Sequence, residues 1–258
     1  MTVPPSDIWL EVFPGSRISD VLGYVAGTWD WLQRTFAAAV SFDRGETDLT
    51  DNLCEALEDR DRRRANCIDC DFQPETWELR RDASGHTTRI ARADIRVILG
   101  APGTPHLVIE FKKLDGSADG RWRYCFDGMN RFVEGKYAVG HPYGVMCGFI
   151  PNDLATEATA LADYIAQEDY ARRLCCINSS DGDVVTEPSE ADPAWANFDT
   201  SHERPGVGTE APIVLLHTLL RCPQLKPRKS KLKRPPKAKV KAMARRPRDQ
   251  KQTGIRQA

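Results

Sequence analysis

The chain has 258 residues, 41% apolar and 28% charged, which is enough to bury one sizeable hydrophobic core. Its formal net charge of −1 conceals a division: residues 221–258 carry 15 cations against one acid, and the residues before them carry 21 cations against 36 acids. Eight dispersed cysteines and no long uncharged apolar run exclude a small disulfide-stabilised secreted domain and argue against a membrane span. We therefore expect a cytoplasmic protein with reduced thiols and no membrane contact.

Helical periodicity comes first along the chain. Apolar residues at mixed spacings of three and four predict one or two amphipathic helices over residues 16–42. Leu49, Leu53 and Leu57 recur every four residues and predict a second helix that begins near Glu46. We expect residues 1–45 to form an N-terminal helical segment that packs on the core.

Strand signals follow, because apolar and polar side chains alternate in three runs. These runs are residues 76–81, 90–99 and 107–112. The Gly and Pro residues of 100–105 separate the last two runs and predict a hairpin.

The remaining periodicity predicts a helix, an apolar strand and a long helix. Their ranges are 122–137, 143–150 and 154–174. Loops around a short piece at residues 195–198 are expected over 181–212, and the run over 213–220 is either a strand or a helix. This order predicts an α/β protein with a mixed β-sheet flanked by helices, within a domain spanning residues 46–220.

The stretch "HLVIEFKKL" (residues 106–114) ends a strand on charged side chains. Alternate strand residues share a face, so Glu110 and Lys112 lie opposite Ile109 and Phe111. If the hairpin closes symmetrically about residue 102, positions whose numbers add to 204 face each other, which places Asp94 opposite Glu110.

Two facing carboxylates repel unless a cation lies between them, and Mg²⁺ prefers such oxygens while leaving room for a phosphate. Lys112 is then placed to serve a water molecule or to neutralise charge on phosphorus. The alternative is a solvent-facing hairpin on which Asp94, Glu110 and Lys112 make ordinary cross-strand pairs.

These residues resemble a known family. Asp94, fifteen intervening residues and Glu110-Phe111-Lys112, after a helix that opens with Glu46, are similar to the PD-(D/E)xK nuclease superfamily over roughly residues 46–150. The resemblance implies a restriction-endonuclease-like core, in which Asp94, Glu110 and Lys112 are catalytic. It also implies that Glu46, Asp94 and Glu110 ligate Mg²⁺, with Mn²⁺ as a substitute. The sequence departs from the family pattern at Ala93, where Pro is common.

Other candidates are weaker. Glu134-Gly135-Lys136 repeats the spacing of Glu110 and Lys112, but Ala118 stands where an acid is needed. The pair Cys67 and Cys70 supplies two of the four ligands that zinc requires, so zinc binding stays open. His202 and His217 are expected to be hydrogen-bonded structural residues.

Two segments are candidates for contact with nucleic acid. Arg131 lies on the helix after the charged strand, where related nucleases often aim a polar residue at phosphate. Residues 221–258 have too few large apolar side chains to fold alone, so we expect a disordered basic tail that binds phosphate backbones. Its candidate contacts are Lys229, Lys231, Lys233, Arg234, Lys237 and Lys239. Whether this tail also occludes the acidic site is left open.

The sequence therefore predicts a Mg²⁺-dependent nuclease, with double-stranded DNA as the favoured partner, in restriction, repair or anti-phage defence. A homodimer or a partner subunit is compatible with this prediction. The alternatives are a non-catalytic nucleic-acid-binding or scaffold protein on the same fold and a metal-independent RNA-processing enzyme.

Overall fold

The computed structural model describes residues 9–11, 13–81, 87–99, 106–205 and 211–224. The helical elements are α1 Gly15–Phe36, α2 Glu46–Leu57, α3 Arg60–Ala65, α4 Ala118–Arg123, a π-helix Tyr124–Met129, α5 Asn130–Val133, α6 Leu154–Ile165 and α7 Glu168–Arg173. The strands are β1 Asp71–Arg81, β2 Thr87–Ile98, β3 His106–Lys113, β4 Tyr143–Ile150, β5 Cys176–Ile177, β6 Val185–Thr186, β7 Phe198–His202 and β8 Ile213–Arg221. None of the helices described is long and apolar enough to cross a bilayer.

All eight of these strands belong to one sheet, in the order β1-β2-β3-β4-β8-β7-β5, with β6 paired to β7. Strands β1, β2 and β3 form an antiparallel meander. Strand β4 runs parallel to both β3 and β8, and β7 is antiparallel to β8. The sheet is therefore mixed, which confirms the predicted α/β class.

The β2–β3 hairpin has the predicted register. Ile95 pairs with Ile109, and Ile98 pairs with His106, so the hairpin is symmetric about residue 102. Asp94 is the next residue of β2 beyond Ile95, at the level of Glu110. The prediction that these two carboxylates face each other across the hairpin rests on this confirmed register.

Two hydrophobic cores cover the two faces of the sheet. On one face, Ile109 and Phe111 of β3 pack in a core that includes Trp29 of α1 and Leu53 of α2. On the other face, Val108 packs in a second core with the π-helix and α6. Because β3 is covered on both faces, two of its charged residues, Glu110 and Lys112, are buried, and Lys113 at its end is half-buried.

Several predicted boundaries were wrong. The helix over 122–137 begins at Ala118, ends at Val133 and contains the π-helix. The helix over 154–174 is divided into α6 and α7, and the break lets the rings of Tyr164 and Tyr170 stack at 4.6 Å between centroids. Such tertiary contacts leave no trace in periodicity.

Two strand assignments also needed correction. Strand β1 begins at Asp71 rather than at residue 76, and it includes Pro74. An edge strand tolerates proline because one row of its backbone groups has no ladder partner. The region predicted as loops contains β6 and β7, whose short lengths give little alternation to detect.

His202 and His217 are buried in a polar chain, as predicted for structural histidines. The Thr200 Oγ1 atom lies 2.7 Å from His202 Nε2 and 2.8 Å from His217 Nε2. His217 Nδ1 lies 3.0 Å from the Tyr124 hydroxyl. Burial lowers the pKa of His202 to about 4 and that of His217 well below its usual value, so both rings are neutral at physiological pH.

The contact between β4 and β8 depends on a glycine. A Cβ atom at Gly148 would lie 2.5 Å from Leu219 Cδ2 and 2.8 Å from Leu114 Cδ1, whereas one at Gly27 in α1 would have no atom of the described residues outside its own helix within 4 Å. We expect Gly148→Ala to destabilise the fold by about 1–3 kcal/mol through overpacking. The control Gly27→Ala should stabilise it by roughly 0.5–1 kcal/mol. Urea unfolding of both variants measures the change in the free energy of unfolding, and equal changes in the two variants would contradict the expected difference.

Candidate active site

Lys112 is the centre of a buried charged cluster on β3. Its Nζ atom donates to Glu110 Oε1 at 2.8 Å, to the Phe111 carbonyl at 2.7 Å and to Glu46 Oε1 at 3.3 Å. Glu110 is 0% exposed and Lys112 is 8% exposed. The alternative of a solvent-facing hairpin with ordinary surface pairs is therefore wrong.

Asp94 reaches the same cluster from β2. Its Oδ2 atom accepts a hydrogen bond of 2.7 Å from the backbone N–H of Phe111, the residue between Glu110 and Lys112. Burial raises the pKa of Asp94, and Glu46 raises it further, although Lys112 and the Phe111 N–H act in the opposite direction. The side chain of Asp94 thus connects β2 to the main chain of β3 at the site.

Glu46 joins the site as the first residue of α2, directly after the cap residue Gly45. Its Oε2 atom accepts from the backbone N–H of Lys113 at 2.8 Å, while Oε1 faces Lys112. The predicted helix start and the predicted site residue thus coincide.

Lys113 has a positioning role that the sequence reading missed. Its Nζ atom donates to the carbonyls of Phe42 and Arg44, each at 2.6 Å, which fastens the loop before α2 to the end of β3. The sequence contained a signal, because residues 1–220 have only three lysines and two of them are adjacent here.

Arg131 and Tyr137 complete the cluster from α5 and the loop after it. Arg131 Nη1 donates to Glu110 Oε1 at 3.0 Å and to the Tyr137 hydroxyl at 2.6 Å. Tyr137 is fully buried and donates its own hydroxyl proton to the Arg92 carbonyl of β2. The predicted contact of Arg131 with phosphate stays a prediction, and no sequence pattern pointed to Tyr137.

Glu110 is the least satisfied member of the cluster. Its Oε2 atom is buried and has no hydrogen-bond partner among the described residues. Burial raises the pKa of Glu110 to about 7, and Asp94 adds to the rise against the opposing charges of Lys112 and Arg131.

Burial alone would lower the pKa of Lys112, but the negative charges of Glu110, Asp94 and Glu46 outweigh the effect of burial and raise that pKa. Lys112 is therefore an ammonium at neutral pH.

The structure brings together the four residues predicted for catalysis and metal binding. As they stand, the described side chains contain no group of three or more His, Cys, Asp or Glu residues arranged to hold a metal, and Lys112 Nζ links Glu46 to Glu110. The donors nevertheless suit Mg²⁺ in kind, because Asp94, Glu110 and Glu46 offer carboxylate oxygens, and one of these oxygens, Glu110 Oε2, has no partner within the described part of the chain.

The other candidates do not join this cluster. Glu134 and Lys136 form an exposed ion pair at 2.5 Å, and Cys67 is exposed whereas Cys70 is buried with a thiol pKa raised by burial to about 12. The tail residues predicted to bind nucleic acid lie outside the described part of the chain. They are Lys229, Lys231, Lys233, Arg234, Lys237 and Lys239.

No protein-family model, curated protein or solved structure matches this chain. Its function is therefore inferred from the side chains that meet between β2, β3, α2 and α5.

The raised pKa of Glu110 predicts a pH-dependent stability. Between its ordinary value of 4.5 and about 7, the folded protein keeps a proton that the unfolded chain has lost. The contribution of Glu110 to stability is thus full below pH 4.5 and is lost as the pH rises through 7. Glu110→Gln cannot lose that proton, so its melting temperature should rise relative to the native protein between about pH 5 and about pH 8.

Thermal unfolding at both pH values measures this difference. The exposed Glu168 of α7 supplies a matched control, because Glu168→Gln should shift the transition equally at both. If the difference in melting temperature between Glu110→Gln and the native protein is the same at both pH values, the raised pKa of Glu110 is contradicted.

Proposed function

We propose that the chain is a Mg²⁺-dependent nuclease of the PD-(D/E)xK type, which hydrolyses phosphodiester bonds of nucleic acid, with DNA as the favoured substrate. The observation that carries this proposal is the convergence of Glu46, Asp94 and Glu110 around the buried Lys112 ammonium. The order of elements supports it, since helix α2, the β1–β2–β3 meander, a helical segment and the parallel strand β4 follow one another as the restriction-endonuclease-like core requires.

The free-energy cost of burying charged side chains also favours a functional role for the cluster. Burying Glu110 and Lys112 costs desolvation free energy that their mutual attraction does not reliably repay, and apolar residues of similar volume often stabilise such positions better. Titratable groups perturbed by burial and by specific partners are concentrated at functional sites. A site that keeps several charges in a core strand is therefore better explained by chemistry than by stability.

Glu46, Asp94 and Glu110 are the residues that would hold the metal. When bound, Mg²⁺ would supply Lewis-acid stabilisation of negative charge on a phosphoryl oxygen. Lys112 keeps its proton at neutral pH, so we assign it a hydrogen-bond donor role towards the attacking water or the phosphate, not the role of a base. Arg131, already held by Tyr137, supplies a second positive charge at the edge of the site.

A binding or scaffold function on the same fold is the second candidate. Lys112 and Arg131 both contact Glu110 Oε1, so the cluster as found is partly neutralised by the protein's own cations. A chain that had lost catalysis would retain such internal pairing. In that case nucleic acid would bind without being cleaved.

Substitution of Lys112 tests the nuclease proposal. Lys112→Met removes the charge and keeps most of the side-chain volume, and we expect it to lower the rate of plasmid cleavage in Mg²⁺ by about 100-fold or more. Lys136→Ala, which removes a lysine from the exposed pair with Glu134, should leave the rate unchanged. If the native protein leaves plasmid DNA intact in both Mg²⁺ and Mn²⁺, the nuclease proposal fails and the binding or scaffold function remains.

Metal binding has a readout that does not depend on cleavage. Mg²⁺ at a hundred times its dissociation constant should stabilise the native fold by about 2.7 kcal/mol, seen as a higher melting temperature. Asp94→Asn retains an oxygen that can accept from the Phe111 N–H but loses the charge, so its melting temperature should respond much less. If Mg²⁺ raises the melting temperature of both proteins equally, the metal does not bind at Asp94.

A further inference from the structure

Two cations of the protein share one carboxylate oxygen of the buried cluster. Glu110 Oε1 accepts from Lys112 Nζ at 2.8 Å and from Arg131 Nη1 at 3.0 Å. Glu110 is 0% exposed, so its charge is balanced by these two side chains and not by bulk water. Like charges repel strongly at short distances in a buried site. A divalent metal that binds Glu110 must therefore compete with Lys112 or with Arg131.

Lys112 is the more firmly held of the two cations. Its Nζ atom also donates to the Phe111 carbonyl at 2.7 Å, and its side chain is only 10% exposed. The π-helix covers its alkyl chain, because a Cβ atom at Gly128 would lie 3.5 Å from Lys112 Cγ. The Phe111 carbonyl is not a proposed metal ligand, so this bond can hold the ammonium beside β3 when a metal takes Glu110.

Arg131 is held less firmly. Its side chain is 36% exposed, and its hydrogen bonds to Glu110 and to the Tyr137 hydroxyl both come from the single nitrogen Nη1. Tyr137 is itself anchored to the Arg92 carbonyl, and its ring centroid lies 5.7 Å from Arg131 Cζ. A partly exposed guanidinium is readily rehydrated. Arg131 can therefore leave Glu110 while Tyr137 keeps it close to the site.

The carboxylates that bond the backbone of β3 do not need to move. Asp94 accepts from the Phe111 N–H through Oδ2, and Glu46 accepts from the Lys113 N–H through Oε2. Each of these side chains has a second oxygen, so a metal can take that oxygen without breaking either backbone bond. The group that has to give way to a metal is thus Arg131.

We propose that Arg131 is the built-in counter-ion of Glu110 and that a divalent metal replaces it. Without metal, the guanidinium neutralises the buried carboxylate. With metal bound, Arg131 turns outwards on its Tyr137 tether and its fork contacts a phosphate of the DNA. This inference rests on the proposed nuclease function, which it deepens by making the contact of Arg131 with DNA depend on the metal. By linkage, metal and DNA then strengthen each other's binding.

Metal affinity in the absence of DNA tests the exchange without any cleavage. The full chain is titrated calorimetrically with Mg²⁺, and the titration is repeated with Mn²⁺. We expect Arg131→Met to bind the metal about 5-fold or more tightly than the native chain, because the competing charge is gone. Arg131→Gln, which keeps a hydrogen-bond donor but no charge, should change in the same direction if the methionine variant does not fold.

Arg123 supplies the matched control, because it is an arginine of the same helical segment that forms an exposed pair with Asp119 at 2.9 Å. Arg123→Met should bind Mg²⁺ like the native chain. Affinity of the folded Arg131 variants within about twofold of the native value, weaker binding, or no binding by any of these proteins would overturn the inference.

Binding of duplex DNA tests the release of Arg131. Affinity is measured in EDTA and in Ca²⁺, which takes the same kind of carboxylate ligands, and a gel verifies that the DNA is intact. We expect Arg131→Met to lose about 5-fold in affinity in Ca²⁺ and nothing in EDTA. Equal losses in the two conditions would overturn the exchange.

Failure of this inference and failure of the nuclease proposal give different results. Native-like metal affinity in Arg131→Met, in a protein that cleaves DNA, would remove the exchange and leave the nuclease proposal standing. Tighter metal binding by Arg131→Met, in a chain whose native form cuts no DNA, would retain the exchange and remove the nuclease proposal.

Discussion

The burial of the Glu110 carboxylate beside the Lys112 ammonium is the interaction on which the arrangement of the site depends. Both residues lie on a strand that is covered on its two faces, so neither charge can be satisfied by bulk water. Each therefore requires partners from other elements. Glu46 from the start of α2 and Arg131 from α5 bring those partners, and they fix where the two helices meet the sheet.

The apolar residues of β3 set the geometry of its charged ones. Ile109 and Phe111 are fully buried against α1 and α2, and a slip of one residue would exchange them with Glu110 and Lys112. Hydrophobic packing on one face thus specifies the register of the charges on the other. The loop that precedes α2 is bonded to the same strand by Lys113 Nζ, and Glu46 accepts from the Lys113 N–H, so the start of α2 is joined to β3 at two points.

Sequence reasoning could find this hairpin because its information is local. The positions of Asp94, Glu110 and Lys112 follow from strand alternation and from a loop symmetric about residue 102, and the structure has that register. The roles of Lys113 and Tyr137 could not be read in this way, because their partners are backbone carbonyls and a side chain brought near by tertiary folding. The π-helix, the break between α6 and α7 and the short strands β6 and β7 were missed for the same reason.

Strand β2 buries side chains on different faces of the sheet before and after Asp94. Ala93 is buried in the core that contains Val108, whereas Ile95 and Val97 are buried in the core that contains Ile109 and Phe111. Regular alternation would place all three side chains on one face, so the alternation is interrupted at Asp94, and Glu75 of the neighbouring strand β1 has a positive φ of 48° beside it. Asp94, at this interruption, directs its carboxylate to the Phe111 N–H of β3, so the irregular step of β2 coincides with the candidate site.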